Sequence, residues 1–175
     1  MKTVWAVCAA LMMLASPAGA TPVEKPWGGR PEVASSGDFA VLQIATLDDK
    51  ALLAEWAKPT PGVSLQTASQ MKRNQPIFTF INFKGCKPDR SGNCNVTADF
   101  DIFDPTGKSV GHAPAAKVLV GAPPAPNGDI MLSAASLGLS IDDGDPLGPY
   151  MVKATVTDHV AGITLHTEKT LTAVD

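Results

Sequence analysis

The chain has 175 residues, with 14 Lys and Arg against 17 Asp and Glu, a formal net charge of −3 and 45% hydrophobic side chains. It carries no basic run or stripe, so it lacks the clustered cations that phosphate neutralisation needs; this argues against nucleic acid and against an anionic membrane surface. Its length suits one domain with a real core.

Residues 1–20 have the pattern of a signal peptide. Lys2 supplies the positive start, Val4 to Leu14 an apolar run, and Ser16-Pro17-Ala18-Gly19-Ala20 a small-residue cleavage site with cutting expected after Ala20. The apolar run is too short to span a bilayer as a mature helix, and Cys8 lies inside it rather than at the cleavage point. The expectation is an exported protein, periplasmic or secreted, with no membrane insertion after signal cleavage. Removing Lys2 leaves 13 basic and 17 acidic side chains, a formal charge of −4. Cys86 and Cys94 remain, and two cysteines in an exported domain most often pair. Closing so short a loop stabilises a fold by roughly 2–3 kcal/mol on the chain-entropy view. Neither a Cys-x-x-Cys redox pair nor a zinc set fits their spacing.

Residues 21–37 are rich in Pro, Gly, Ser and charge and read as an extended, flexible arm. Residues 38–61 read as an appendage. Asp38 to Thr46 docks as a strand or a short helix, and Asp48-Asp49 then offers an N-cap to a short helix through Ala57, with Leu52, Leu53 and Trp56 on one face. Pro59 and Pro61 stop it. Trp56 reads first as a cap on the core.

From residue 62 to 175 the pattern is β. Val63 to Ala68 is a first strand, and Ile77 to Phe83 is apolar almost without interruption, as in a strand covered on both faces and placed centrally. The loop from Lys84 to Cys94 looks like a long hairpin connection stapled at its base, with Asn95 to Asp104 as the partner strand. Asp104-Pro105-Thr106-Gly107-Lys108 is a turn. Lys117 to Val120, Ile130 to Leu132 and Leu137 to Ile141 are short strands, separated by the stiff Pro-rich loop at 122–128. From Tyr150 to Thr157 apolar and polar side chains alternate, the mark of a half-buried strand, and Ile163 to Thr172 returns through a hairpin. A Tyr just after the Asp-Pro-Leu-Gly-Pro corner resembles the tyrosine corner of immunoglobulin-like sandwiches, whose phenol bonds back to upstream backbone. The expected fold is mainly β: an Ig-like antiparallel β-sandwich of seven or eight strands with a short N-terminal helix.

Several patterns that resemble chemistry fail on inspection. Gly107-Lys108-Ser109 lacks the earlier Gly of a phosphate-binding loop, since Ile102 stands there. Asp142, Asp143 and Asp145 do not match an EF-hand and read as a solvated turn. His112, His159 and His166 are too scattered for a shared metal, Met71, Met131 and Met151 form no copper cluster, and no Gly-x-Ser-x-Gly elbow occurs. Asp99 and Asp101 share one strand face as solvent-facing charges, although a glycosidase carboxylate pair is a matter of three-dimensional geometry. No catalytic residue, metal site or cofactor is assigned.

The segments Phe83-Lys84-Gly85-Cys86, Gly92-Asn93-Cys94-Asn95-Val96-Thr97-Ala98-Asp99-Phe100, Asp104 to Lys108 and Gly144 to Tyr150 resemble a group of exported proteins of Gram-negative bacteria that carry no assigned activity. The resemblance covers roughly residues 45–173 and brings no functional residues. More broadly, Gly148-x-Tyr150 before an alternating strand is similar to bacterial Ig-like modules that serve adhesion, assembly or carbohydrate contact. The leading expectation is a non-catalytic binding or assembly module whose partner is a periplasmic protein or a small ligand. The surfaces to inspect are the 84–93 loop with Lys87 and Arg90, the 122–128 loop with Pro124, and Trp56. The alternative is a hydrolase or metal-dependent enzyme whose site would join His112 with Asp142 to Asp145, or with His166. A pilus-type chaperone fits poorly, for want of a second domain and a basic cleft.

Overall fold

The computed structural model describes residues 30–58 and 65–175. The expected signal peptide, residues 21–29 of the expected arm, and residues 59–64, which include Pro59, Pro61 and Val63, lie outside the described residues. The chain is mainly β, with ten strands among the described residues rather than seven or eight: β1 Val33–Ser36, β2 Phe39–Thr46, β3 Gln70–Lys72, β4 Ile77–Lys84, β5 Cys94–Phe103, β6 Ser109–Ala122, β7 Met131–Leu132, β8 Leu137–Leu139, β9 Gly148–Asp158 and β10 Ile163–Val174, with one helix, α1 Asp49–Trp56.

The strands form two five-stranded sheets. In the first, the order is β1-β2-β4-β7, and β8 pairs with the other end of β4. The second runs β3-β10-β9-β5-β6. Inward side chains of both sheets meet in one core that includes Phe39, Val41, Ile81 and Phe83 from the first, and Val96, Phe100, Val152, Val156, Leu165 and Leu171 from the second. Each such side chain contributes about 1.5–3 kcal/mol by leaving water, whereas an exposed ion pair such as Lys153 with Glu168 adds at most about 1 kcal/mol. The core therefore decides which face of each strand turns inward.

Several expectations need correction. Val33–Ser36, assigned to a flexible arm, is strand β1, hydrogen-bonded antiparallel to β2. The hairpin turns on Gly37 and Asp38, with Gly37 at φ 57°, which suits a two-residue primed turn. β2 is no appendage, because it lies between β1 and β4 inside the first sheet. Finally, β4 and β5 are not hairpin partners: they belong to different sheets, so the 85–93 loop is a crossover from one sheet to the other. A continuous apolar strand followed by an alternating one reads like a hairpin, yet here each strand has its own neighbours.

The remaining segments follow from local chemistry. The Asp48 carboxylate caps α1 by accepting from Ala51 N at 2.8 Å, as the acidic N-terminus suggests. Leu52 packs with Ile44 and Phe80 on the outer face of the first sheet, so the helix covers the second side of β4. Residues 65–68 form no strand; Ala68 N donates to Ala45 O of the first sheet, and Gln70 then pairs with Thr172 of the second, parallel to β10. β6 runs far beyond 117–120 because an edge strand tolerates Pro114 and a bulge at Ala115, where φ is 52°.

Both margins of the sandwich are closed by bonds between layers. Glu168 N donates to Pro31 O on one side, and Ala134 N and Ala135 N donate to Val118 O and Lys117 O on the other. Inside, the fully buried Gln43 of β2 donates to Val152 O at 3.2 Å and accepts from Thr167 Oγ1 at 2.9 Å. Its amide is thereby satisfied on both sides, as a buried polar group must be.

Gly85 adopts φ 72°, and a Cβ there would lie 2.0 Å from Asp38 O. The β1–β2 turn rests directly on this glycine. Gly85→Ala should therefore destabilise the fold by about 1–3 kcal/mol or more, because backbone strain and a backbone clash act together. Denaturant unfolding checks this, and a midpoint equal to wild type would refute the assigned packing.

Candidate functional site

At the end of the sandwich where β2 begins and β4 ends, four connections meet: the β1–β2 turn, the 84–88 segment, the Pro-rich loop and the β9–β10 hairpin. They surround an open cleft of about 560 Å³ whose lining includes Asp38, Lys87, Pro124, Asp129, Met131 and Ile163. Two of the three surfaces singled out by sequence come together here, through Lys87 and Pro124. Arg90 does not line the cleft. Trp56 is half-exposed at the end of α1, which follows the opposite end of β2.

The cleft owes its shape to two tethers. The Cys86–Cys94 disulfide joins the end of the first sheet to the start of the second with Cα atoms 6.1 Å apart, inside the usual range. Both half-cystines are buried, at 5% and 1% exposure. The second tether is Asp158, the last residue of β9, which is fully buried. One carboxylate oxygen accepts from Lys87 N at 2.8 Å, and the other accepts from Val160 N at 3.0 Å and Ala161 N at 3.1 Å. A single acid thus fixes two walls at once. Sequence placed Asp158 only at the end of an alternating strand; its role depends on which loop returns beside it.

Within the crossover, Asp89 organises the tip. Its Oδ1 accepts from Ser91 Oγ at 2.6 Å, Ser91 N at 2.8 Å and Asn93 N at 3.1 Å. The Ser91 hydroxyl, then the Asn93 and Ser91 amides, hold this exposed carboxyl below the ordinary carboxylate value. The same design recurs at the β5–β6 turn, where Thr106 Oγ1 and the Thr106 and Lys108 amides surround Asp104.

The other candidate groups are dispersed. Tyr150, 3% exposed, donates its phenol hydrogen bond to Pro146 O at 2.9 Å and pins the corner before β9. Asp142, Asp143 and Asp145 are engaged at that far corner: Arg73 donates to Asp142 O and Asp145 O, Asn74 donates to Asp143 Oδ1, and Asp145 Oδ2 accepts from Asp142 N. His112 instead pairs with Asp101 at 2.8 Å on the outer face of the second sheet. His166 shares a hydrogen bond with Thr155, and His159 one with Thr97. His112 and His166 lie on β6 and β10, three strand spacings apart, which is about 14 Å. Asp99 accepts from Ala115 N at the bulge. Among the described residues no group of three His, Cys, Asp or Glu could hold a metal ion, and no helix is long and apolar enough to cross a membrane.

No protein family's sequence profile matches the chain, and no curated protein matches it in sequence. Among solved structures it is similar to a family 123 glycoside hydrolase from Clostridium perfringens, at a TM-score of 0.38 and 10% identity, over 77% of this chain and 27% of that one. The chain thus spans little more than a quarter of that protein's length, and a likeness at this score carries no argument about activity.

Two outcomes follow from the tethers. Asp158→Asn places an amide NH₂ against backbone donors and should cost about 3 kcal/mol or more in stability while leaving the disulfide formed; urea unfolding with a free-thiol assay reads both, and an unchanged midpoint would contradict the bonding described. For Asp89, a folded pKa below the unfolded one means the stabilisation is present above the unfolded value and lost as pH falls through the folded value. Carboxyl NMR should find Asp89 titrating below the ordinary range, with Ser91→Ala moving it back up. A normal value in wild type would refute the assignment.

Proposed function

We propose that this chain is a non-catalytic binding or assembly module, an Ig-like sandwich exported to the periplasm or beyond, that seats a segment of a partner protein in the cleft. The observation that carries the reading is the convergence of Lys87 and Pro124, from two loops distant in sequence, on one open cleft. The Ig-like assignment is supported by the Tyr150 phenol bond to Pro146 at the corner entering the penultimate strand. Export is supported by the N-terminal signal pattern together with the disulfide.

The lining favours polypeptide over carbohydrate. It joins apolar and proline surface, from Pro88, Pro124, Met131 and Ile163, to charges of both signs on Asp38, Asp129 and Lys87. Among the described residues no Trp or Tyr ring lines it on which a sugar could stack. Apolar anchors bordered by mixed charge are what an extended chain segment meets with its own side chains.

The test uses the mature, disulfide-intact protein as bait in periplasmic extract, in parallel with Lys87→Glu, Pro124→Ala and Trp56→Ala baits. Retention of a partner should fall roughly tenfold, equivalent to about 1.4 kcal/mol, for the Lys87 variant. It should fall less for the Pro124 variant and stay unchanged for the Trp56 variant. A partner retained equally by every bait overturns the cleft as the site. A metal ion or glycan recovered on the protein with no partner promotes the enzyme alternative.

A further inference from the structure

We infer that Met131 is an oxidation site through which a hydroperoxide reshapes the cleft. Met131 is half-buried and lines the cleft. Its Sδ accepts the backbone hydrogen bond of Ala125 N at 3.2 Å, which pins the Pro-rich loop to β7. That loop has few other ways to be held, since Pro123, Pro124 and Pro126 offer no N–H. A thioether is only a weak acceptor, so the contact is weak, and its failure would release a wall of the cleft.

The chemistry is a two-electron oxygen transfer. The Sδ lone pair attacks the terminal oxygen of a hydroperoxide, the S–O bond forms as the O–O bond breaks, and the departing alkoxide takes the proton to leave as an alcohol, or as water from hydrogen peroxide. Sulfur is oxidised to the sulfoxide and the peroxide is reduced. At 3.2 Å there is no room for an oxygen between sulfur and the Ala125 nitrogen. Met131 cannot withdraw inward, because it pairs in register with the buried Phe83 and packs against the main core. The exposed loop moves instead, and the contact of the Ala125 N–H with the sulfur is broken. Sulfoxide formation also turns a flexible apolar side chain into a polar one, a change that methionine sulfoxide reductases reverse.

The described residues supply their own controls. Met71 is 1% exposed in the core and Met151 is 36% exposed on the opposite sheet's outer face. The folded protein is treated with hydrogen peroxide, oxidation is mapped by peptide mass spectrometry, and amide hydrogen exchange is followed over 122–128. Met131 should oxidise on the timescale of Met151 and well ahead of Met71, and exchange at Ala125 should quicken several-fold, then return on reductase treatment. Met131→Leu keeps the volume without the sulfur and should show no peroxide response in the loop. Met131 staying reduced alongside Met71 overturns the proposal. So does oxidation with unchanged or slower exchange at Ala125, or an equal loop response in the Leu variant. None of these readouts needs the partner, so they stand or fall apart from the binding reading.

Discussion

A buried carboxylate is the constraint on which this end of the molecule depends. Taking Asp158 out of water costs several kcal/mol unless strong partners replace the solvent. Three backbone N–H groups do so, and hydrogen bonds to a charged acceptor are worth roughly 1.5–3 kcal/mol each. The acid can be buried only if Lys87 arrives from the crossover and Val160 and Ala161 come from the hairpin. Its position enforces this. Asp158 lies opposite Val96 of β5 on one side and Ile163 of β10 on the other, so it stands where the crossover enters the second sheet. The disulfide fixes the base of the same crossover. One tether is covalent and the other electrostatic, and together they hold a segment that belongs to neither ladder.

The two sheets present different outer faces for a related reason. On the second sheet, rows of side chains run across the strands, such as Glu168, Lys153 and Asp101, and their charges alternate. Such a surface is content in water. On the first sheet the outer positions are Leu42, Ile44, Phe78 and Phe80, which need cover, and α1 supplies part of it through Leu52. The helix is short and has one buried residue, so its packing rather than its own propensity holds it.

How much of this was legible in the sequence depended on whether the governing contact was local. The alternation of β5 and β9, the central placement of Ile77 to Phe83, the Asp48 cap and the pairing of Cys86 with Cys94 are all set by residues near one another. β1 was missed because a four-residue strand with two serines gives no periodic signal, although Ser35 is buried by its neighbours. Most of β6 was missed because Gly111, Pro114 and Ala115 look like loop. The assignment of β4 and β5 to different sheets depends on which strands they choose as neighbours, and adjacency in sequence points to the wrong answer. Cleft residues such as Asp38, Asp129 and Met131 carried no signal, since they stand in the β1–β2 turn, the β6–β7 connection and β7 and acquire meaning only when the sandwich brings these segments together.

The cleft is asymmetric in stiffness, and this bears on what it can do. Its Lys87 wall is held by a disulfide and by a charge-assisted hydrogen bond to a fully buried acid. Its Pro124 wall is held by a thioether contact and by the turn in which Asp129 N donates to Pro126 O. The prolines limit the shapes that second wall can take without fixing its position. In the proposed binding role, a ligand entering between them would meet one surface that is already organised, so the entropy of ordering would fall on a single short loop. That division would let one face set register while the other adapts to the side chains it receives. It also places sensitivity to change in the wall that can move without unfolding the core.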